Sequence, residues 1–189
     1  MAEKTSKALV QAAQIGSLQG VKAALEAGAD IDHAQEISGL TTCTALSVAS
    51  FTGSADIVKL LLHKGASVTK RDGGSLSVVP LHVAATRGHI EVVDLLVHHG
   101  ATLDIRDAYQ RTPLMTACAY KQVGTVRRLI ELGARVDLTD VRGQTVQNYC
   151  EKDKVGDRDF KEMHKLIQEA METKLSRCCN PTCGKPGYR

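Results

Sequence analysis

Three cysteines crowd the C-terminus, in the string Cys178-Cys179-Asn180-Pro181-Thr182-Cys183-Gly184-Lys185. Thiolates held a few residues apart by a Pro/Gly turn can reach one tetrahedral Zn²⁺ ion, and a structural zinc site needs four ligands. At most three are present, so tight zinc binding by these residues alone is not expected. Cys43, Cys118 and Cys150 are isolated from one another, unlike the even spread of a disulfide framework. They are expected to be small buried thiols.

The other candidate chemistry is weaker. His63 and His98 stand just before a Gly-Ala pair, with His99 beside the second, where a cation favours the end of a helix dipole; they read as helix caps. Asp30, Asp32 and His33 cluster, and Asp104 and Asp137 recur in the matching place; these are expected to be solvated turn residues rather than a Ca²⁺ site or an acid–base pair. The turn Asp72-Gly73-Gly74-Ser75 lacks the Lys of a phosphate loop. No Gly-x-Ser-x-Gly elbow and no His-Glu-x-x-His occurs, so no catalytic residue is assigned.

The chain has 189 residues, 24 Lys+Arg against 21 Asp+Glu. Four of the cations, Lys174, Arg177, Lys185 and Arg189, follow the last acid; setting them aside leaves 20 against 21, or −1. The basic bias is a tail effect, and with no Trp, four Tyr and two Phe there is little for bases to stack on. No nucleic-acid partner is expected. Apolar runs such as Leu60-Leu61-Leu62 stop far short of the roughly 18 residues a membrane span needs, and the mixed-charge N-terminus is unlike a secretory signal. A cytoplasmic or nuclear protein without membrane insertion is the expectation.

A fixed period organises the elements that would position these groups. Gly-Ala follows a Leu-rich segment at Gly28-Ala29, Gly65-Ala66, Gly100-Ala101 and Gly133-Ala134, at spacings of 37, 35 and 33 residues. About 20 residues before the last three stand Thr44-Ala45-Leu46, Val79-Pro80-Leu81 and Thr112-Pro113-Leu114, with a degenerate copy at Leu9. Thr can cap an early helical N–H, Pro suits the first helical position, and Gly after the Leu run allows φ > 0. Each repeat is then turn, helix, loop, helix, and stacking is what buries its apolar face. Val79 lacks the Thr hydroxyl, at a cost of about 1 kcal/mol. The longer spacings put four extra residues around Ala34 to Leu40 and two around Asp72 to Ser77.

Val79-Pro80-Leu81-His82-Val83-Ala84-Ala85, Gly88-His89 and Leu95-Leu96 with Gly100-Ala101 resemble the ankyrin repeat over roughly residues 5 to 150. The resemblance implies an all-α solenoid with short β-hairpin fingers, whose fingers and inner helices form a concave surface that binds other proteins. It implies that His82 bonds neighbouring backbone and ties repeats together. A degenerate fifth copy, frayed at the end of the array, begins at Asp140-Val141-Arg142-Gly143, with Gln147 where the inward Leu belongs. After a charged link, Phe160, Met163, Ile167, Ala170 or Met171 and Leu175 recur at helical steps, predicting an amphipathic helix of about 16 residues that caps the stack. The expected organisation is an array over 5–150, linker and capping helix over 151–177, and a third segment over 178–189. The string Cys-x-Asn-Pro-x-Cys-Gly-Lys in that segment resembles the opening of a MYND zinc finger. That resemblance implies Cys178 (or Cys179) and Cys183 as ligands whose partners, and the zinc, belong to a longer chain.

The sequence therefore predicts a non-enzymatic, monomeric adaptor. Its partner-binding positions, carried over by alignment with the family, are Leu40, Phe51, Leu76, Arg87, Tyr109, Arg111 and Tyr120. Large apolar groups beside Arg are the composition of an interface hot spot, although Phe51 and Val78 could equally pack between repeats. Replacing Tyr109, Arg111 and Tyr120 by Ala is expected to abolish capture without changing the melting temperature. The alternatives are a targeting arm of a larger enzyme and a tail that binds nucleic acid with metal.

Overall fold

The computed structural model describes residues 2–37, 41–151 and 158–178; of these, the side chains of Ala2, Glu151 and 174–178 are outside the description. Ten helices and one two-stranded hairpin form among the described residues, as expected for ankyrin repeats. They come in pairs: α1 (Ala2–Gln14) with α2 (Leu18–Glu26), α3 (Ala45–Thr52) with α4 (Ala55–His63), α5 (Pro80–Arg87) with α6 (Ile90–His98), and α7 (Pro113–Ala119) with α8 (Val123–Glu131). The last pair is α9 (Val146–Glu151) and α10 (Arg158–Cys178).

Local chemistry sets these boundaries. Thr44 Oγ1 accepts the N–H of Ser47 at 3.2 Å and Thr112 Oγ1 that of Met115 at 3.3 Å, whereas Val79 leaves its helix uncapped by any side chain. The inner helices α3 and α5 stop at Gly53 and Gly88, both left-handed. A Cβ on Gly53 would strike the His89 ring and one on Gly88 the Gln122 amide, so each glycine makes room for the next repeat. Lys121 stands at the equivalent place after α7 with φ 57° and reaches its ammonium 4.6 Å from the centre of the Phe160 ring of α10.

Packing follows the repeat. Leu9, Leu46, Leu81 and Leu114 occupy one register on successive inner helices, and Val21, Val58, Val93 and Val126 one register on successive outer helices; all eight are fully buried. Inner helices contact inner helices from α1 through α3, α5 and α7 to α9, and outer helices run α2, α4, α6, α8, α10. No single centre organises the core, which is what makes the stack one-dimensional.

Three expectations need correction. The fifth copy is a helical pair after all: α10 spans 21 residues, not about 16, and packs on both α8 and α9 through buried Phe160, Met163 and Ile167. Val146 and Cys150 supply the buried positions of α9, so Gln147 does not have to. Cys118 and Cys150 are buried but Cys43 is only half-buried, because it lies in the hairpin β1 (Gln35–Ile37) and β2 (Thr41–Cys43), where Gln35 pairs with Cys43. That hairpin is formed by the longest of the inserted fingers.

Candidate functional site

The fingers are built on one repeated aspartate. Asp107 N–H donates to Arg111 O, closing a five-residue turn, and Asp140 does the same with Gln144 O. Asp107 Oδ1 accepts the N–H groups of Tyr109 and Arg111, both at 2.8 Å, while Oδ2 takes the Arg111 guanidinium at 2.7 Å; the carboxylate is wholly buried. Asp140 Oδ1 likewise accepts from Arg142 and Gln144, and its Oδ2 accepts the Tyr149 hydroxyl at 2.8 Å. Burial, with the Asp140 bond second, pushes the Tyr149 phenol up to about 12.

The third finger is two residues longer, Asp72 N–H reaching Val78 O. None of its turn N–H groups is bonded to Asp72 Oδ1. Asp72 Oδ1 is buried without a hydrogen bond, and burial raises the Asp72 carboxyl to about 6, although the Ser47 hydroxyl and the Thr44 N–H beside it hold it down in part. The half-buried Cys43 thiol is pushed to about 11, by burial first and then by the Asp72 charge.

Neighbouring fingers are zipped by main chain. Gly73, Ala108 and Val141, each following the turn Asp, donate to Thr42 O, Leu76 O and Tyr109 O at 2.8, 2.9 and 3.0 Å. A Cβ on Gly73 would meet Thr42, which is why glycine stands there. The Arg71 guanidinium bonds Ser77 O and Arg106 O, and that of Arg106 bonds Thr139 O, so each arginine ties its finger to the next. Asp32 Oδ1 accepts the N–H of Ser67 and Asp104 Oδ1 that of Arg135, both at 2.9 Å. These two stay partly exposed and in addition act as inter-repeat struts, a role their sequence context does not suggest. His82 joins the same set: its Nε2 meets Arg111 O at 3.0 Å. A carbonyl only accepts, so Nε2 carries the proton, and burial holds the ring neutral.

On this platform the structure places the sequence-assigned positions as follows. Phe51 (51% exposed), Leu76 (44%), Tyr109 (44%) and Tyr120 (59%) face solvent. The Arg87 guanidinium lies 4.4 Å from the Phe51 ring centre and that of Arg111 5.2 Å from the Tyr109 ring centre. Phe51 therefore does not pack between repeats, while Val78 is half-buried. Arg111 is held by a buried carboxylate, so its removal is expected to damage the finger, and it does not belong in a variant meant to leave melting unchanged. Leu40 and Cys183 lie outside the described residues; Cys178 ends α10 with its side chain undescribed.

Two exposed apolar residues of the fingers and inner helices escaped sequence reasoning. Ile15, 78% exposed, stands before Gly16 as Thr52 stands before Gly53 and Arg87 before Gly88, so it prolongs the same row into the first repeat. Val141, 58% exposed, sits on the fifth finger. The register of the αL glycine and of the turn Asp pointed to both.

Elsewhere the molecule offers little. Open depressions of about 330, 420 and 550 Å³ lie between successive outer helices, on α2/α4, α8/α10 and α6/α8. In none does a Ser, Cys or Thr face a His base. His63 and His99 bond their own helix, at Lys59 O and Leu95 O. Their rings sit edge to face at 5.6 Å. Among the described residues no group of three His, Cys, Asp or Glu is arranged to hold a metal, and no helix is long and apolar enough to cross a membrane.

A stack of helical pairs joined by aspartate-centred fingers defines a class, and a family model described as ankyrin repeats matches residues 2–72 and 77–140. The chain belongs to the ankyrin-repeat family. A Danio rerio protein named as a palmitoyltransferase, ZDHHC13, is 32% identical over 143 residues, which are 76% of this chain and 21% of that protein. The match thus spans about a fifth of that relative's length.

Proposed function

We propose that this chain is a non-enzymatic scaffold that holds a protein partner in the concave groove formed by fingers and inner helices of repeats two to four. Ankyrin repeats support a protein-interaction role. The observation that carries the placement is the set of exposed aromatic rings on one face, two of them covered by arginines. Rigid rings beside Arg lose little entropy on binding and are what interface anchors are made of. The test compares partner capture by the chain with that by a Phe51→Ala, Tyr109→Ala, Tyr120→Ala variant. These side chains are exposed, so melting should be preserved while capture falls at least about tenfold, the expectation for hot-spot anchors. Undiminished capture refutes the placement.

A second reading, favoured by the match to a palmitoyltransferase-named relative, makes the array the targeting arm of a larger enzyme. Reading the complete open reading frame separates the two: a catalytic domain beyond Arg189 supports the arm, and a zinc finger alone the adaptor. For the Cys178/Cys179/Cys183 segment the proposal is the start of a MYND-type finger that binds zinc only with ligands from a longer chain. Stoichiometric zinc in the present chain contradicts it. We further read the protein as a cytoplasmic or nuclear monomer without nucleic-acid partners; size-exclusion chromatography with light scattering and imaging of a tagged chain test this.

A further inference from the structure

The inner helices carry small residues at two adjacent registers. The second, third and fourth repeats place there Ala49 and Ser50, Ala84 and Ala85, then Ala117 and Cys118, all fully buried. In the fifth repeat Cys150 takes the register of Ala117, and it is buried as well. Helices α7 and α9 pack directly on each other, and the Cys118 and Cys150 thiols meet across that contact in a hydrogen bond. Neither takes part in the groove read above. Alanine fills the same two registers in the third repeat, so packing there does not call for sulfur.

We infer that Cys118 and Cys150 form a dithiol modification site, which a low-molecular-weight disulfide of the glutathione class closes into a cross-link between the fourth and fifth repeats. One protein thiolate attacks a sulfur of the incoming disulfide; that S–S bond breaks and one small thiol leaves. The second protein thiolate then attacks the protein sulfur of the mixed disulfide and expels the other small thiol. Two protein S–H groups are oxidised, one external disulfide is reduced, and the two protons end on the released thiols. The Cys150 sulfur first, and burial second, push the Cys118 thiol well above its ordinary value, so the closed stack holds almost no thiolate. Exchange therefore proceeds through opening of the last unit. Helix α9 has six residues, too few to persist on its own hydrogen bonds, and depends on its contacts with α7 and α10. The cross-link closes the chain from Cys118 to Cys150, which contains the fifth finger, and so restricts the opened state. Tyr149, next to Cys150, bonds Asp140 Oδ2 in that finger, so helix and finger are held together.

Non-reducing peptide mapping of the native 189-residue chain, equilibrated with mixtures of reduced and oxidised glutathione, tests this beside thermal melting of the same samples. The expected result is a peptide pair joined through Cys118 and Cys150, with a melting temperature about 5 °C or more above that of the reduced chain and returned to it by dithiothreitol. A chain with Cys43, Cys178, Cys179 and Cys183 replaced by Ser excludes their contribution and should show the same shift. Cys118→Ala and Cys150→Ala place alanine where Ala85 and Ala117 stand in earlier repeats, and each should abolish the shift while keeping the parent helicity. If either variant loses its fold, mapping and melting of the Ser-substituted chain decide. Cys118 and Cys150 that stay reduced, or are capped separately by glutathione, even in oxidised glutathione alone, overturn the inference. So does a link that forms only in urea, or one that leaves melting unchanged or lowered.

Discussion

In the fourth finger the chain turns back four residues after Asp107, and the carboxylate collects two turn N–H groups and a guanidinium; in the third it turns back six residues after Asp72, and Oδ1 collects nothing. The stack does not register the insertion. Gly73 still donates to Thr42 O as Ala108 does to Leu76 O, and Leu81 is as buried as Leu114. A repeat array thus tolerates extra residues at a fingertip, because helix packing does not depend on the turn. The side chain inside the turn bears the loss. One aspartate has become a strut and its counterpart a buried charge without a full set of donors.

The contrast can be broken from either side. Asp107→Asn removes the charge that Arg111 faces and is expected to cost about 3 kcal/mol, seen as a lower urea midpoint at unchanged m. Asp72→Asn should do the reverse. The Asp72 carboxyl titrates near 6 in the fold against 3.8 for the ordinary group, so the unfolded chain ionises first. The contribution of this group is fully present below pH about 4 and is lost as pH rises through 6. At pH 7 the Asn variant should therefore exceed the parent by up to about 2 kcal/mol, the two converging toward pH 4. Melting curves of both proteins across that window check the sign; a gap that does not depend on pH removes the titration argument. Smallest is Val79→Thr, which restores the cap that Thr44 and Thr112 provide and should add about 1 kcal/mol.

Much of this was legible in the residues. The Leu and Val registers are periodic over four copies, and the turn insertions follow from counting between Gly-Ala pairs. His82 bonds a neighbouring repeat as the family resemblance implies. What stayed hidden depends on contacts between repeats, which no single copy encodes. Asp32 and Asp104 look like any turn acid until Ser67 and Arg135 arrive from the next unit. Arg111 looks like a groove cation, yet its partner four residues earlier is buried. The fifth unit looks frayed because its outer helix lies beyond a charged link rather than at the usual spacing. At the candidate site the exposed rings were found from alignment, whereas the burial of Asp72, Asp107 and Asp140 in their turns needed the fold.

The central claim is that a partner sits on the fingers and inner helices and not on the outer row. Amide hydrogen exchange of the chain with and without a peptide selected for binding to it tests it most directly. Slowed exchange confined to residues 41–53, 70–88 and 105–121 is the predicted result. Slowed exchange along α4, α6 and α8, with the fingers unchanged, would contradict it.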